Sequence, residues 1–177
     1  MFCFLQVKSA RESELEQMKN NVLILGIGNF DREDDGVAWH ILQGIKEKLG
    51  RSTTPTPYDS TDEPEGDEDP KTLFSLQLFP EMVDVITSFD HVCFVDAHTG
   101  AIEDDLNFRE IQAINHTNPL THHMTPETLL SFAGITHKNI PQSILVSVRG
   151  YSFKYEQGLS PATAELADKA VEHIWTW

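Results

Sequence analysis

Asn21-Val22-Leu23-Ile24-Leu25-Gly26-Ile27-Gly28-Asn29-Phe30-Asp31-Arg32-Glu33-Asp34-Asp35-Gly36 decides how the rest of the chain is read. Val22 to Leu25 is a run of branched apolar residues, of strand length and apolar enough to be buried on both faces, as strands of a parallel sheet are. Beyond the stretch, Val37, Ile41, Ile45 and Leu49 recur every four residues, the stripe of an amphipathic helix. The residues between them form a strand-to-helix junction. Gly26 and Gly28 let the backbone turn where the strand ends. Asp34 or Asp35 stands where a helix N-cap or first-turn acid is favoured by unpaired amides and the helix dipole. Loops at the carboxyl ends of parallel strands are also where open α/β sheets hold their ligands.

The alternation of strand and helix continues along the chain. Thr72 to Leu78 predicts a second strand, and Pro80 opens a short helix with Met82, Val83, Val85 and Ile86 on its apolar side. His91 to Val95 repeats the opening pattern, an apolar strand running into Asp96-Ala97-His98-Thr99-Gly100. Leu106 and Phe108, spaced by polar residues, predict another strand at an antiparallel edge. A polar loop with His116, His122 and His123 then leads into a helix that starts at Pro126-Glu127 and buries Leu129, Leu130 and Phe132. Ser143 to Val148 is a further buried strand, and Ser160-Pro161 begins a last helix striped by Leu166, Ala167, Ala170, Val171 and Ile174. This order predicts one α/β domain over residues 21–177, a doubly wound, three-layer arrangement of a mostly parallel sheet with helices on both faces. Residues 1–20 read as a polar, Glu-rich extension outside it. Residues 51–70, rich in Thr, Pro, Asp and Glu without apolar periodicity, read as a mobile surface insertion.

With 177 residues, 40% of them hydrophobic, the chain has enough material for one sizeable core. A formal net charge of −15 excludes a nucleic-acid backbone or an anionic membrane as the main partner, since both are repelled. Much of that charge is local, because Asp59 to Asp69 contains no Lys or Arg. The two cysteines, Cys3 and Cys93, make no disulfide framework, and reduced thiols fit the cytoplasm. No apolar run approaches a membrane span, and Met1 to Leu5 is too short for a signal-peptide core.

The glycine loop lacks the third glycine of a dinucleotide fingerprint, and Asp31, Glu33, Asp34 and Asp35 would repel a pyrophosphate. A metal uses the same acids more naturally. Carboxylates from Asp35 and Asp96 joined by one imidazole give a mixed oxygen and nitrogen site suited to a divalent transition ion such as nickel or zinc. The plainer reading makes Asp34 and Asp35 helix caps, Asp96 a strand-end acid bonding loop amides, and the histidines solvated. Three separate loops each supplying a ligand-type residue favour the metal. Asp35 and Asp96 activating water without a metal stays open beside it. Neither cysteine sits where a thiolate would be activated, and no Gly-x-Ser-x-Gly elbow occurs.

The ordered set of a strand with Gly26-Ile27-Gly28-Asn29, then Asp34-Asp35-Gly36, Phe94-Val95-Asp96-Ala97, Thr121-His122-His123-Met124-Thr125-Pro126-Glu127 and Gly158-Leu159-Ser160-Pro161 resembles the hydrogenase maturation proteases. These endopeptidases remove a C-terminal extension from the large subunit of nickel-iron hydrogenases once nickel has been inserted. The resemblance runs from about Asn21 to the last helix. It implies a twisted mixed sheet of about five strands and a soluble, cytoplasmic, monomeric enzyme whose partner is the hydrogenase large-subunit precursor. It implies Asp35, Asp96 and His122 as the residues that meet the metal and carry catalysis, with His123 the nearest rival for the third place. The nickel is then that of the precursor, with no organic cofactor. Asn29 becomes a residue that supports the ligands from behind or stabilises the loop, and Gly26 and Gly28 structural ones. The acidic insertion, the N-terminal extension and the charged run Asp31-Arg32-Glu33 depart from the family's pattern. A non-catalytic metal-sensing or subunit-binding maturation factor on the same fold is the competing class.

Overall fold

The computed structural model describes residues 21–114 and 124–177. The extension 1–20 and the histidines His116, His122 and His123 lie outside the described residues. In chain order the elements are β1 (Val22–Ile27), α1 (Val37–Lys48), β2 (Lys71–Ser75), α2 (Met82–Ile86), β3 (His91–His98), β4 (Leu106–Ile111), α3 (Pro126–Thr136), β5 (Gln142–Arg149) and α4 (Pro161–Thr176), with short 3-10 turns at Glu33–Gly36 and Pro57–Asp59.

The strands form one sheet in the order β2-β1-β3-β5-β4. The first four are parallel, and β4 lies antiparallel on β5 at the edge. On one face α1 and α4 bury Ile41, Leu42, Ile45, Val171 and Ile174 against Ile24, Cys93, Val95 and Val146. On the other, α2 and α3 bring Val83, Ile86, Leu129 and Leu130 onto Leu23, Leu25, Val92 and Phe94. The expected three layers are therefore present, and the central strands are apolar on both sides because both sides are covered. The edge strand β4 carries exposed Arg109 and Glu110, charges that discourage further strand pairing.

From β1 the chain passes over α1 to β2 on one side, then returns to β3 on the other. The order of strands therefore reverses between β1 and β3. A crevice opens at such a switch point, beyond the carboxyl ends of the strands. The junction after β1 is shaped to fit there. A Cβ on Gly26 would lie 3.1 Å from the Ala38 Cβ, so the glycine lets β1 and α1 approach closely. Gly28 has φ of 144°, and a Cβ there would lie 1.9 Å from the carbonyl oxygen of Asp35.

Neither Asp34 nor Asp35 caps α1, whose N-cap is Gly36 with no side-chain bond. The reason is long-range competition. Asp34 is fully buried, and its carboxylate accepts hydrogen bonds from the Ser160 amide (2.7 Å) and hydroxyl (2.7 Å) and from the amides of Tyr151 (2.7 Å) and Ser152 (2.8 Å). It thus clasps the β5–α4 connection, and Ser160 is itself the N-cap of α4. Burial would raise the Asp34 pKa; the bonds from Ser160, Tyr151 and Ser152 outweigh that and hold it below the ordinary carboxylate value. Glu33, at φ of 44°, sits in the left-handed region. It is held there by long-range bonds: its amide donates to Glu156 O (2.7 Å), and its carboxylate accepts from the Ser152 hydroxyl and the Lys154 amide.

The acidic segment 51–70 crosses the surface with a single 3-10 turn, and it is tied at both ends. Lys46 Nζ pairs with Glu65 (2.6 Å), Arg51 donates to the Pro70 (2.7 Å) and Glu68 (2.5 Å) carbonyls, and Glu65 bridges Thr72. Its Tyr58 hydroxyl donates to Asp31, which also accepts from Gln157 Nε2 (2.9 Å). The insertion is thereby joined to the loop after β1.

Two outcomes follow for stability. Gly28→Ala should cost more than ~2 kcal/mol in urea unfolding, since the backbone must move to admit the methyl group. Asp34→Asn should cost about 3 kcal/mol at neutral pH, because an amide cannot accept from four donors. An aspartate whose folded pKa is depressed stabilises above its unfolded value, so the wild-type advantage should shrink as pH falls below 3.8.

Candidate functional site

The 3-10 turn after β1 presents Asp35 at the switch point, one residue beyond the buried Asp34. Asp35 is half-buried. Burial raises its pKa, opposed by a hydrogen bond from the Asn29 amide and by the nearby Arg32 charge. Asn29 also organises the loop around it, accepting from the Asp31 amide through its side chain (3.0 Å) and from the Arg32 amide through its carbonyl (3.1 Å). The loop-stabilising role that the resemblance implies for Asn29 has this local content.

Asp96 lies on β3 opposite Ser147 of β5. The strand runs two residues past it, through Ala97 and His98, so Asp96 is held in the sheet rather than in the loop. Its carboxylate accepts the Ala97 amide (2.8 Å). Burial pushes its pKa up to about 6; the Ala97 bond works against this, and the negative charge of Asp35 adds to it. The two acids therefore sit close enough to sense each other. Two interacting carboxyls, one shifted to near neutrality, form the kind of pair in which one group holds a proton more readily than the other.

Among the described residues, no group of three His, Cys, Asp or Glu side chains is placed to hold a metal ion. Asp35 and Asp96 offer two hard oxygen donors, and the nitrogen donor expected from His122, or from His123, lies outside the described residues. The chain re-enters them at Met124-Thr125, where Thr125 caps α3 by accepting from the Thr128 amide (3.2 Å). Because α3 runs antiparallel into β5, this end of the helix lies toward the carboxyl edge of the sheet. The donors on the described residues fit an oxygen-rich, open half-site, not a closed structural one.

Two neighbours were not singled out from the sequence. Arg32 is the only base among the loop acids, and its charge acts on Asp35. Its guanidinium packs over Tyr155, 5.7 Å from the ring centre, and donates to the Phe153 carbonyl (3.4 Å). The signal for it was present, a lone cation within Asp31-Arg32-Glu33, but its direction was not. His98, two residues beyond Asp96 on β3, shares its face of the sheet. Its Nδ1 accepts the Gly100 amide (3.2 Å), while Nε2 is shielded from solvent without a partner among the described residues. Cys93 is fully buried with its thiol pKa pushed up by burial, which leaves it chemically inert. Among the described residues, no helix is long and apolar enough to cross a membrane.

No protein-family model matches the sequence, and no curated protein sequence matches it. Solved structures do match the fold. The hydrogenase maturating endopeptidase HybD from E. coli superposes with a TM-score of 0.57 at 17% identity, covering 87% of this chain and 89% of that one. The [NiFe] hydrogenase maturation protease HycI from Thermococcus kodakarensis KOD1 does so with a TM-score of 0.55 at 19% identity, covering 93% and 96%. A hydrogenase 2 maturation peptidase from Thaumarchaeota archaeon gives 0.53 at 17%, covering 88% and 96%. The likeness runs over nearly the whole of both chains in each case, and the chain carries the fold of the hydrogenase maturation proteases.

Proposed function

We propose that this chain is an endopeptidase that removes a C-terminal peptide from a nickel-iron hydrogenase large-subunit precursor after nickel insertion. The observation that carries the reading is the meeting of Asp35 and Asp96 at the switch point of a fold shared with maturation endopeptidases. In this reading the precursor brings its own nickel. Asp35, Asp96 and His122 complete the coordination of that ion, so the scissile peptide is placed only when the metal is present. An enzyme half-site of two carboxylates and one imidazole with open positions suits this role.

The chain's own groups then act on water. One carboxylate of the pair takes a proton as the water oxygen adds to the scissile carbonyl carbon, and returns a proton to the leaving nitrogen as the peptide bond breaks. Asp96, with a pKa raised to about 6, is matched to that exchange near neutrality better than an ordinary aspartate. Asn29 holds Asp35 in place for it, and Arg32 keeps a positive charge beside the pair. Bound metal, when the substrate supplies it, would polarise the same carbonyl or water.

Incubating the enzyme with nickel-loaded and nickel-free precursor and weighing the products by mass spectrometry tests the reading. Loss of a C-terminal peptide from the loaded form alone is expected; an unchanged mass would leave a binding factor instead. Asp35→Asn, Asp96→Asn and His122→Ala should each lower processing at least ~100-fold while the fold persists. Full activity in any one removes that residue from the mechanism.

The same burial predicts a stability signature. Asp96 has a folded pKa above its unfolded value, so its ionisation costs stability as pH rises from 3.8 to about 6, and the loss levels off above that. Asp96→Asn should therefore be more stable than the wild type at pH 7, by up to ~3 kcal/mol, and the gain should vanish near pH 4. Thermal or urea unfolding at the two pH values measures it, and a destabilised variant at pH 7 would contradict the burial argument.

A further inference from the structure

The opposite end of the sheet carries a groove that the proposed chemistry does not use. Its volume is about 1020 Å³, and its walls set Leu49, Ile140, Ile174, Trp175 and Trp177 beside a polar rim of Asp69, Glu110 and Gln112, together with the starts of β1, β3 and β5 at Val22, His91 and Gln142. Asp96 is five residues along β3 from His91, so the groove floor and the carboxylate pair are separated by roughly 16 Å of strand. Trp175, Trp177 and Ile140 are each about half exposed, at 47%, 49% and 46%. Two tryptophans and a β-branched residue left open to water around one concavity form an apolar patch of the kind that usually has an occupant.

The chain itself reaches that groove. Asn21 immediately precedes Val22, and it is anchored there: its carbonyl accepts the Asp90 and His91 amides, and its own amide donates to the Asp90 carboxylate (3.1 Å). The residues before Asn21 therefore start at the groove's mouth. They include the apolar run Met1-Phe2-Cys3-Phe4-Leu5-Gln6-Val7, followed by the polar stretch Lys8 to Asn20. That stretch spans roughly 40 Å when extended, more than enough for the apolar run to fold back onto the groove.

We propose that Phe2, Phe4 and Leu5 occupy this groove, so that the N-terminal run covers Trp175, Trp177 and Ile140. The extension is then a plug for the amino-end face of the sheet. The assignment rests on the groove, the anchored exit at Asn21 and the composition of the run, and it is independent of the activity at the other end.

Cys3 lies within the run, and Cys93 is fully buried, so the chain carries its own reporter. Alkylation by iodoacetamide, a neutral reagent unaffected by the acidic surface, is followed by mass spectrometry on the native protein and on a free peptide of residues 1–19. Cys3 should react about tenfold or more slowly in the protein, because labelling then requires a local opening. Phe4→Asp and the double variant Trp175→Ser/Trp177→Ser should each restore the peptide's rate. Phe4→Asp should also shift tryptophan emission to the red. Equal rates for protein and peptide overturn the proposal, as does protection that survives both variants. Protection lost on dilution, with a dimer seen by light scattering, assigns the groove to a second copy and overturns it too.

Discussion

The carboxylate of Asp34 is the tie on which the candidate site depends. It is fully buried, carries a charge, and has four donors from the β5–α4 connection around it. A buried charge without such donors would be strongly unfavourable; with them it becomes a rigid joint between the loop after β1 and the start of α4. The next residue is Asp35. Because Asp34 is fixed by groups from across the molecule, Asp35 has little freedom to move away from Asp96, even though their charges repel. The two adjacent acids have opposite electrostatic fates for a structural reason. One is surrounded by donors and held ionised, while the other is partly desolvated, which raises its pKa against the Asn29 amide and the Arg32 charge.

Much of the fold was legible because hydrophobic periodicity reports burial directly. Val22 to Leu25 and Val92 to Val95 are apolar at every position, and both lie in central strands covered on each side. Leu106 and Phe108 alternate with polar residues, and β4 is the antiparallel edge. Ser160-Pro161 and Pro126-Glu127 marked helix starts because capping and proline rules act over a few residues. Asp34 and Asp35 are first-turn acids of the 3-10 turn that runs into α1 but not its N-cap, and the cap expectation fails for the complementary reason. Local rules give an acid before a helix to its own amides, and nothing in the local sequence announces that Ser160, Tyr151 and Ser152 take Asp34 instead. Arg32 was likewise visible as a lone base, but its proximity to Asp35 is a tertiary fact. The same holds for the insertion, whose Tyr58 reaches Asp31 only once both loops are in place.

The two ends of the sheet divide the molecule's physics. At the carboxyl end, polar and charged groups are held in partial burial: a pair of carboxyls with raised pKa values, an arginine with its Nε shielded, and a glutamate at positive φ. Such features are costly locally and persist because the surrounding packing fixes them. At the amino end the groove's walls set Trp175, Trp177 and Ile140 beside Asp69, Glu110, Gln112 and Gln142. The doubly wound topology accounts for the first half of this contrast, since only the carboxyl ends of β1 and β3 flank a switch point.

The separation in sequence between Asp34 and its donors reaches 117 to 126 residues. During synthesis, the glycine loop emerges more than a hundred residues before the β5–α4 connection. Until that connection arrives, the Asp34 carboxylate has no partners, Glu33 has nothing to hold it at positive φ, and the turn bearing Asp35 lacks its shape. The turn bearing Asp35 therefore takes its shape only after the β5–α4 connection has been made, whatever order the strands pair in, and a ribosome-bound chain stalled before Tyr151 carries both aspartates without the clasp on Asp34.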